Sequence, residues 1–287
     1  MTTLFKQNLD LLKYPRTAHI EGSRLQKGDE DYGHTPYKKL VGRYLVIEEK
    51  LDGGNCGVSY SSGAEQLLQS RGHYLTGGSR ERQFNLFKRW ASAHESVLLD
   101  CLGDQYICYG EWLHKKHSVF YDKLPAYFNE FDIWDRSTEC FLSTAARKAI
   151  TGTAPVLAVP VLYQGVAPAK LKDLLAMVVH SYAKTPAWRD TFESVVKREG
   201  FDLAKAWSQA DKSDLMEGLY IKVEEEGKVV ERYKLVRSDF VQSILDANVH
   251  HSEQPFVPNQ LAAGADIFAP ELSMTWEDLG LVTKEGL

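Results

Sequence analysis

With 287 residues, 44% hydrophobic and 25% charged, the chain can bury the core of one large domain or two small ones, and its composition is that of an ordinary globular protein. A net charge of −5 excludes a generally basic nucleic-acid coat, so any polyanion has to be held by a local patch. Cys56, Cys101, Cys108 and Cys140 form no CxxC pair and no zinc-type spacing, which points to reduced thiols rather than a disulfide frame or a metal knuckle.

The opening MTTLFKQNLDLLKYPR lacks the apolar run of a signal peptide, and the most apolar stretch, APVLAVPVL at 154–162, is short and broken by proline. A soluble cytoplasmic protein without membrane association is expected. Residues 1–43, punctuated by Pro15, Gly22, Gly28, Gly33 and Pro36, read as a short helix and loops packed on a core. Strand-like runs follow at 44–50, 57–60, 66–71, 105–112 and 127–134, rich in aromatic or β-branched residues and bounded by turn formers. Between them, 81–102 places Phe84, Phe87, Trp90, Ala91, His94, Val97, Leu98 and Cys101 at three- and four-residue steps, the spacing of one buried helical face. His94 on that face reads as a packing residue.

Segment 168–210 is predicted helical, with an apolar stripe through Leu171, Leu174, Leu175, Val178 and Val179 and a second run at Phe192, Val195 and Val196. Residues 218–237 form two alternating runs about a Glu-Gly turn, a hairpin signal. Period two puts Leu219, Ile221 and Val223 on one face and Tyr220 and Lys222 on the other, with Arg232 and Lys234 pointing alike on the second strand. A helix at 238–248 and a proline-punctuated tail complete the chain. The last fifty residues are short for an independent domain.

Several charges stand at predicted strand ends. Lys50 closes YLVIEEK before LDGGN; Glu111 follows Gly110; Glu217 precedes Gly218. Each alone suits a solvated strand end. Taken with Asp52, Asn55, Arg71, Lys222 and Lys234, they form an ordered set of cations, carboxylates and an amide able to converge in a cleft.

That set resembles the covalent nucleotidyltransferase superfamily, and within it the ATP-dependent RNA ligases of the RNA ligase 2-like kind. The elements that carry the resemblance run in order from KLDGGN (50–55), SRG (70–72), GEW (110–112) and FDIWD (131–135) to EGLYIK (217–222) and RYKLVR (232–237). The resemblance implies an α+β fold: an ATP-grasp-like ligase adenylation domain of antiparallel sheets flanked by helices over 44–237, with 1–43 packed on it and 238–287 a short tail without a full OB-fold. It implies ATP and Mg2+ as cofactors, with Mn2+ able to substitute, and RNA ends or a nicked RNA duplex as partner.

By the same resemblance Lys50 carries AMP, and Asp52 and Asn55 orient the nucleotide, with Gly53 allowing close backbone approach. Glu48 and Arg71 belong to the nucleotide site, Glu111 to the ribose hydroxyls and Phe131 to the adenine face. Glu217 becomes the metal carboxylate, and Lys222, Arg232 and Lys234 neutralise phosphates. Lys115 and Lys116, directly after Glu111, and Arg237 are expected to contact RNA. Two other readings share part of this pattern. One is an adenylyltransferase or RNA-binding subunit of a repair assembly, with kinase or phosphatase partners that heal the ends. The other is a GTP-dependent capping guanylyltransferase, disfavoured because that activity carries an OB-fold and the tail is too short for a five-stranded barrel.

Overall fold

The computed structural model describes residues 11–25, 33–152, 154–240 and 255–286. Most of the predicted N-terminal helix and nearly all of the helix at 238–248 lie outside the described residues. Among the described residues, the sheet is built from β1 (Ala18–Ile20), β2 (His34–Thr35), β3 (Tyr44–Glu49), β4 (Gly54–Tyr60), β5 (Gln66–Ser70), β6 (Tyr106–Trp112), β7 (Phe128–Asp135), β8 (Cys140–Leu142), β9 (Leu157–Ala158), β10 (Val161–Val166), β11 (Gly218–Glu225), β12 (Lys228–Val236) and β13 (Lys284–Glu285). The helices are α1 (Asn85–Ala93), α2 (Glu95–Leu102), α3 (Thr144–Thr151), α4 (Leu171–Leu175), α5 (Trp188–Arg198) and α6 (Leu203–Ser208). The expected α+β class holds.

The strand order is β13-β10-β3-β11-β12-β8-β7-β6-β4-β5, and its neighbours pair antiparallel except β13 with β10. This order separates two strands that are adjacent in sequence. β3 pairs with β10 and β11, whereas β4 pairs with β5 and β6, so the Asp-Gly step after Lys50 is a crossing between two sectors of the sheet and not a hairpin turn. β3 lies between two strands and is buried on both faces from Leu45 to Glu49, which explains its unbroken apolar run.

The amphipathic segment 81–102 is helical but interrupted: α1 ends and α2 begins at His94, whose Nε2 lies 2.8 Å from the Ile267 carbonyl. Phe87, Trp90, Ala91 and Leu98 are buried and join the main core beneath β4, β6 and β7. The predicted helical layer over 168–210 is instead three short helices, α4 to α6, and Val178 and Val179 fall outside them. Ser181 and Asp122 draw the intervening chain into side-chain hydrogen bonds that a continuous helix would forbid: Ser181 Oγ donates to Glu49, and Thr185 N donates to Asp122.

Residues 255–262 lie along the 113–124 loop. Lys116 N donates to Val257 O, Asn259 Nδ2 to Leu113 O, and Tyr121 N to Asn259 Oδ1. Farther on, Trp276 is buried and donates to Ala158 O, and β13 adds to the edge of β10. The described part of the tail is thus packed on the core. Among the described residues, no helix is long and apolar enough to cross a membrane.

Candidate active site

Sheet register builds the centre of the site. Glu49 faces Leu219 across the β3–β11 pair, so the next residue, Lys50, meets the start of β11, and its N–H donates to Gly218 O at 3.0 Å. Glu217 immediately precedes that strand, and its Oε1 lies 2.7 Å from Lys50 Nζ. Gly218 lets β11 start tight against β12: a Cβ there would stand 1.8 Å from Leu235 O.

The second wall comes from β4 and β6. Asn55 faces Glu111 across the pair, and Gly53 N donates to Glu111 Oε1 at 3.0 Å. A Cβ on Gly53 would come within 2.6 Å of Trp112 O, so only glycine lets the crossing chain pass the end of β6. Asp52 points its Oδ2 at the 113–124 loop, accepting from Ser118 N and Val119 N at 2.7 Å each, while Tyr121 OH accepts from Asp52 N. In this geometry one Asp52 oxygen anchors the loop that follows β6.

These residues border a cavity of about 760 Å³. Of the sequence-predicted set, Glu48, Lys50, Asp52, Gly53, Asn55, Arg71, Glu111, Phe131, Glu217 and Lys234 line it. Lys222 and Arg232 do not. Lys222 is fully buried, ion-paired with Glu48 Oε2 at 2.8 Å and Asp132 Oδ1 at 3.5 Å, and it donates to Phe131 O. Arg232, opposite Lys222 in register, sits 3.5 Å from Asp132 and 3.9 Å from the Phe141 ring centroid. Arg147 of α3 completes this buried network through Glu48 at 2.8 Å and Glu130 at 2.6 Å. The network lies behind the cavity, and Glu48 joins the two.

Lys115, Lys116 and Arg237, expected to face RNA, are buried instead. The 255–260 segment covers Lys115 and Lys116, and Lys116 Nζ donates to the carbonyls of His117 and Gln209. Arg237 pairs with Asp211 and Asp239. Sequence reasoning also missed cavity-lining residues. Tyr14 and Thr17 arrive from the N-terminal segment and Tyr220 from β11, joined by hydroxyl hydrogen bonds of 2.6 Å and 2.8 Å; Gln83 and His117 pair on the other side. Tyr220 carried a usable signal, since alternation put it on the Lys222 face.

Burial pushes the Glu217 carboxyl up to about 7 even though Lys50 pulls it down, and pushes Glu111 up to about 8 against the same lysine. For Lys50, burial works to lower the amine, but Glu217, then Asp52 and Glu111, hold it above the ordinary lysine range. Folding therefore costs stability at Glu111 as pH rises. The cost is absent below the ordinary value of 4.5 and complete above about 8. We expect Glu111→Gln to raise Tm at pH 8.5 by about 2–6 °C and to leave it unchanged near pH 4, read by calorimetry across pH.

Among the described residues, no three His, Cys, Asp or Glu side chains converge as a ready-made metal site. Glu217 Oε2 and Asn55 Oδ1 are nevertheless buried without a hydrogen-bond partner, and both border the cavity. Oxygen donors in this number fit a hard divalent cation that takes the rest of its shell from water and nucleotide phosphates.

The sequence model of the RNA ligase family matches residues 43–236. No curated relative matches the chain. Among solved structures, the Naegleria gruberi RNA ligase with PPi is similar at 17% identity and TM-score 0.50, over 80% of this chain and 62% of that one. A variant of the same Naegleria ligase with ATP and Mn is 15% identical with TM-score 0.48, over 77% of this chain and 59% of that one. The chain thus spans about three-fifths of the length of these structures.

Proposed function

The chain belongs to the RNA ligase family, and from that premise we propose that it is an ATP-dependent RNA ligase working through AMP carried on Lys50. The observation that carries the reading is the Lys50–Glu217 pair, 2.7 Å apart in a cavity large enough for a nucleotide. In this reaction Lys50 Nζ attacks the α-phosphate of ATP, forming a P–N bond and expelling pyrophosphate. The AMP then passes to an RNA 5′-phosphate, forming an anhydride, and attack by a 3′-hydroxyl makes the phosphodiester and releases AMP. The amine must lose its proton before it attacks, and Glu217 Oε1 is in place to accept it.

Phe131 supplies an aromatic face for adenine, with Tyr14 edge-on to it at a centroid distance of 5.0 Å. Glu111 is positioned for the ribose, and Arg71 and Lys234 for phosphate. Magnesium is the proposed ion, held through Glu217, where it would neutralise phosphate charge. Free cysteines throughout fit a reducing, cytoplasmic setting. RNA ends are the proposed substrate, in repair.

The second reading, an adenylyltransferase subunit that depends on a partner for sealing, is favoured by one observation: the described residues 255–262 are packed along the 113–124 loop of the core. Purified protein with Mg2+ and α-labelled nucleotide separates these readings. Labelling by ATP over GTP together with sealing of nicked RNA supports the autonomous ligase. Labelling without sealing until an end-healing kinase or phosphatase partner is added supports the subunit, and preference for GTP defeats both.

A further inference from the structure

Residues 209–216 connect α6 to β11 with no helix or strand of their own, yet four cationic side chains donate to their carbonyls. Lys116 Nζ reaches Gln209 O at 2.5 Å, Arg189 Nη2 Lys212 O at 2.8 Å, Lys184 Nζ Ser213 O at 2.7 Å and Arg237 Nε Met216 O at 3.1 Å. Lys116, Lys184 and Arg237 are buried, so each would be a costly unpaired charge without such acceptors.

Arg237 holds the end of this segment twice over. Besides its side-chain bond to Met216 O, its main-chain N–H donates to Glu217 O at 3.1 Å, and its guanidinium pairs with Asp211 Oδ1 at 2.5 Å. Asp211 N donates to Ser118 O at 2.7 Å, and Ser118 N donates to Asp52 Oδ2 at the same distance. A continuous set of contacts therefore runs from Asp52, two residues past Lys50, to the main chain of Glu217.

We propose that Arg237 is a positioning residue: by clamping residues 211–217 it fixes the Glu217 carboxylate against Lys50 and against the cation that accompanies ATP. The proposal rests on the reading that Lys50 and Glu217 perform adenylyl transfer. It gives the buried arginine a role at the reaction centre without contact to substrate.

The test compares wild type with Arg237→Met and Arg237→Lys, and with Lys184→Met, which loosens the same segment away from the strand ends. Single-turnover adenylylation should slow by about 100-fold in Arg237→Met with KM for ATP within about threefold, the scale expected for a misplaced reacting group. Lysine keeps the charge but lacks the planar fork that reaches Asp211, Asp239 and Met216 O together, so Arg237→Lys should recover part of the loss. Mn2+ binding in the presence of a non-hydrolysable ATP analogue, measured by calorimetry, should weaken by about tenfold in Arg237→Met and less in Lys184→Met. In a Glu217→Gln background, Arg237→Lys should change Mn2+ binding no further.

Variants that lose thermal stability but keep wild-type Mn2+ affinity and rate would overturn the clamp. If Arg237→Met does not fold, unchanged Mn2+ affinity in Lys184→Met overturns it. A wild-type protein that forms no adduct would count against the proposed function, while the calorimetric comparison would still decide the clamp.

Discussion

Lys50→Ala is expected to reduce covalent AMP labelling from nearly stoichiometric to background. Lys50 lines the cavity with a side chain that is 25% exposed and has a carboxylate 2.7 Å from its amine. Lys222 is sealed behind the cavity, and Lys116 is committed to carbonyls. The substitution has a second signature. Lys50 pulls the Glu217 carboxyl down from where burial alone would leave it, so its loss drives that carboxyl higher still. A raised carboxyl is neutral and harmless at low pH and becomes a buried, unpaired charge as pH rises. The variant should match wild-type Tm near pH 5 and fall below it by pH 9. A stoichiometric adduct on Lys50→Ala protein would refute the assignment outright.

Arg147→Met should produce the largest loss of stability. Arg147 is 1% exposed and bridges Glu48 and Glu130, which are equally buried. Breaking such a pair leaves an uncompensated charge, and we expect a cost of about 3–5 kcal/mol in denaturant unfolding. Burial already holds the Glu130 carboxyl above its ordinary value despite Arg147 and Lys222, so the defect should shrink as pH falls toward 5 and grow toward 8. Glu130→Gln added to Arg147→Met should restore part of the loss, because the stranded carboxylate is its source. A cost below about 1 kcal/mol would mean that the triad is not a stabilising unit, as at an exposed pair. The network also backs the site, since Glu48 both borders the cavity and holds Arg147 and Lys222.

The residues now seen around the cavity show why some of this was readable from the chain and some was not. Strand alternation is local, so it correctly put Tyr220 and Lys222 on one face and Arg232 and Lys234 on the matching face of the next strand, and the structure pairs Lys222 with Arg232 and Tyr220 with Lys234. The same alternation turns Glu48 and Glu49, neighbours on β3, to opposite faces, where they find partners as different as Arg147 and Ser181. It could not say how far along a face the cavity ends. Lys222 and Arg232 sit beyond it, and only the meeting of β3 and β7 behind the cavity reveals that their charge is answered by Glu48 and Asp132.

The same limit explains the basic residues after Glu111. A run such as His114-Lys115-Lys116-His117 has the composition of a phosphate-binding surface. Whether it is surface depends on what lies over it, and here that is a segment about 140 residues later in the chain. Tyr14 and Arg147 left no local signal because their partners are remote in sequence: Asp132 for the first, Glu48 for the second.

By itself, then, the sequence determined most of the central strands, the hairpin of β11 and β12, and the ordered motif from Lys50 to Lys234 whose family resemblance implied the α+β class, because periodicity and turn chemistry act over a few residues and the motif's order is written along the chain. The tertiary structure decided which charges open onto the cavity and which are buried behind it, the break of the 81–102 helix at His94, and the covering of the 113–124 loop by the tail. Those outcomes depend on sheet register and on desolvation by distant segments, and a buried charge is stable only where a partner from another part of the chain meets it.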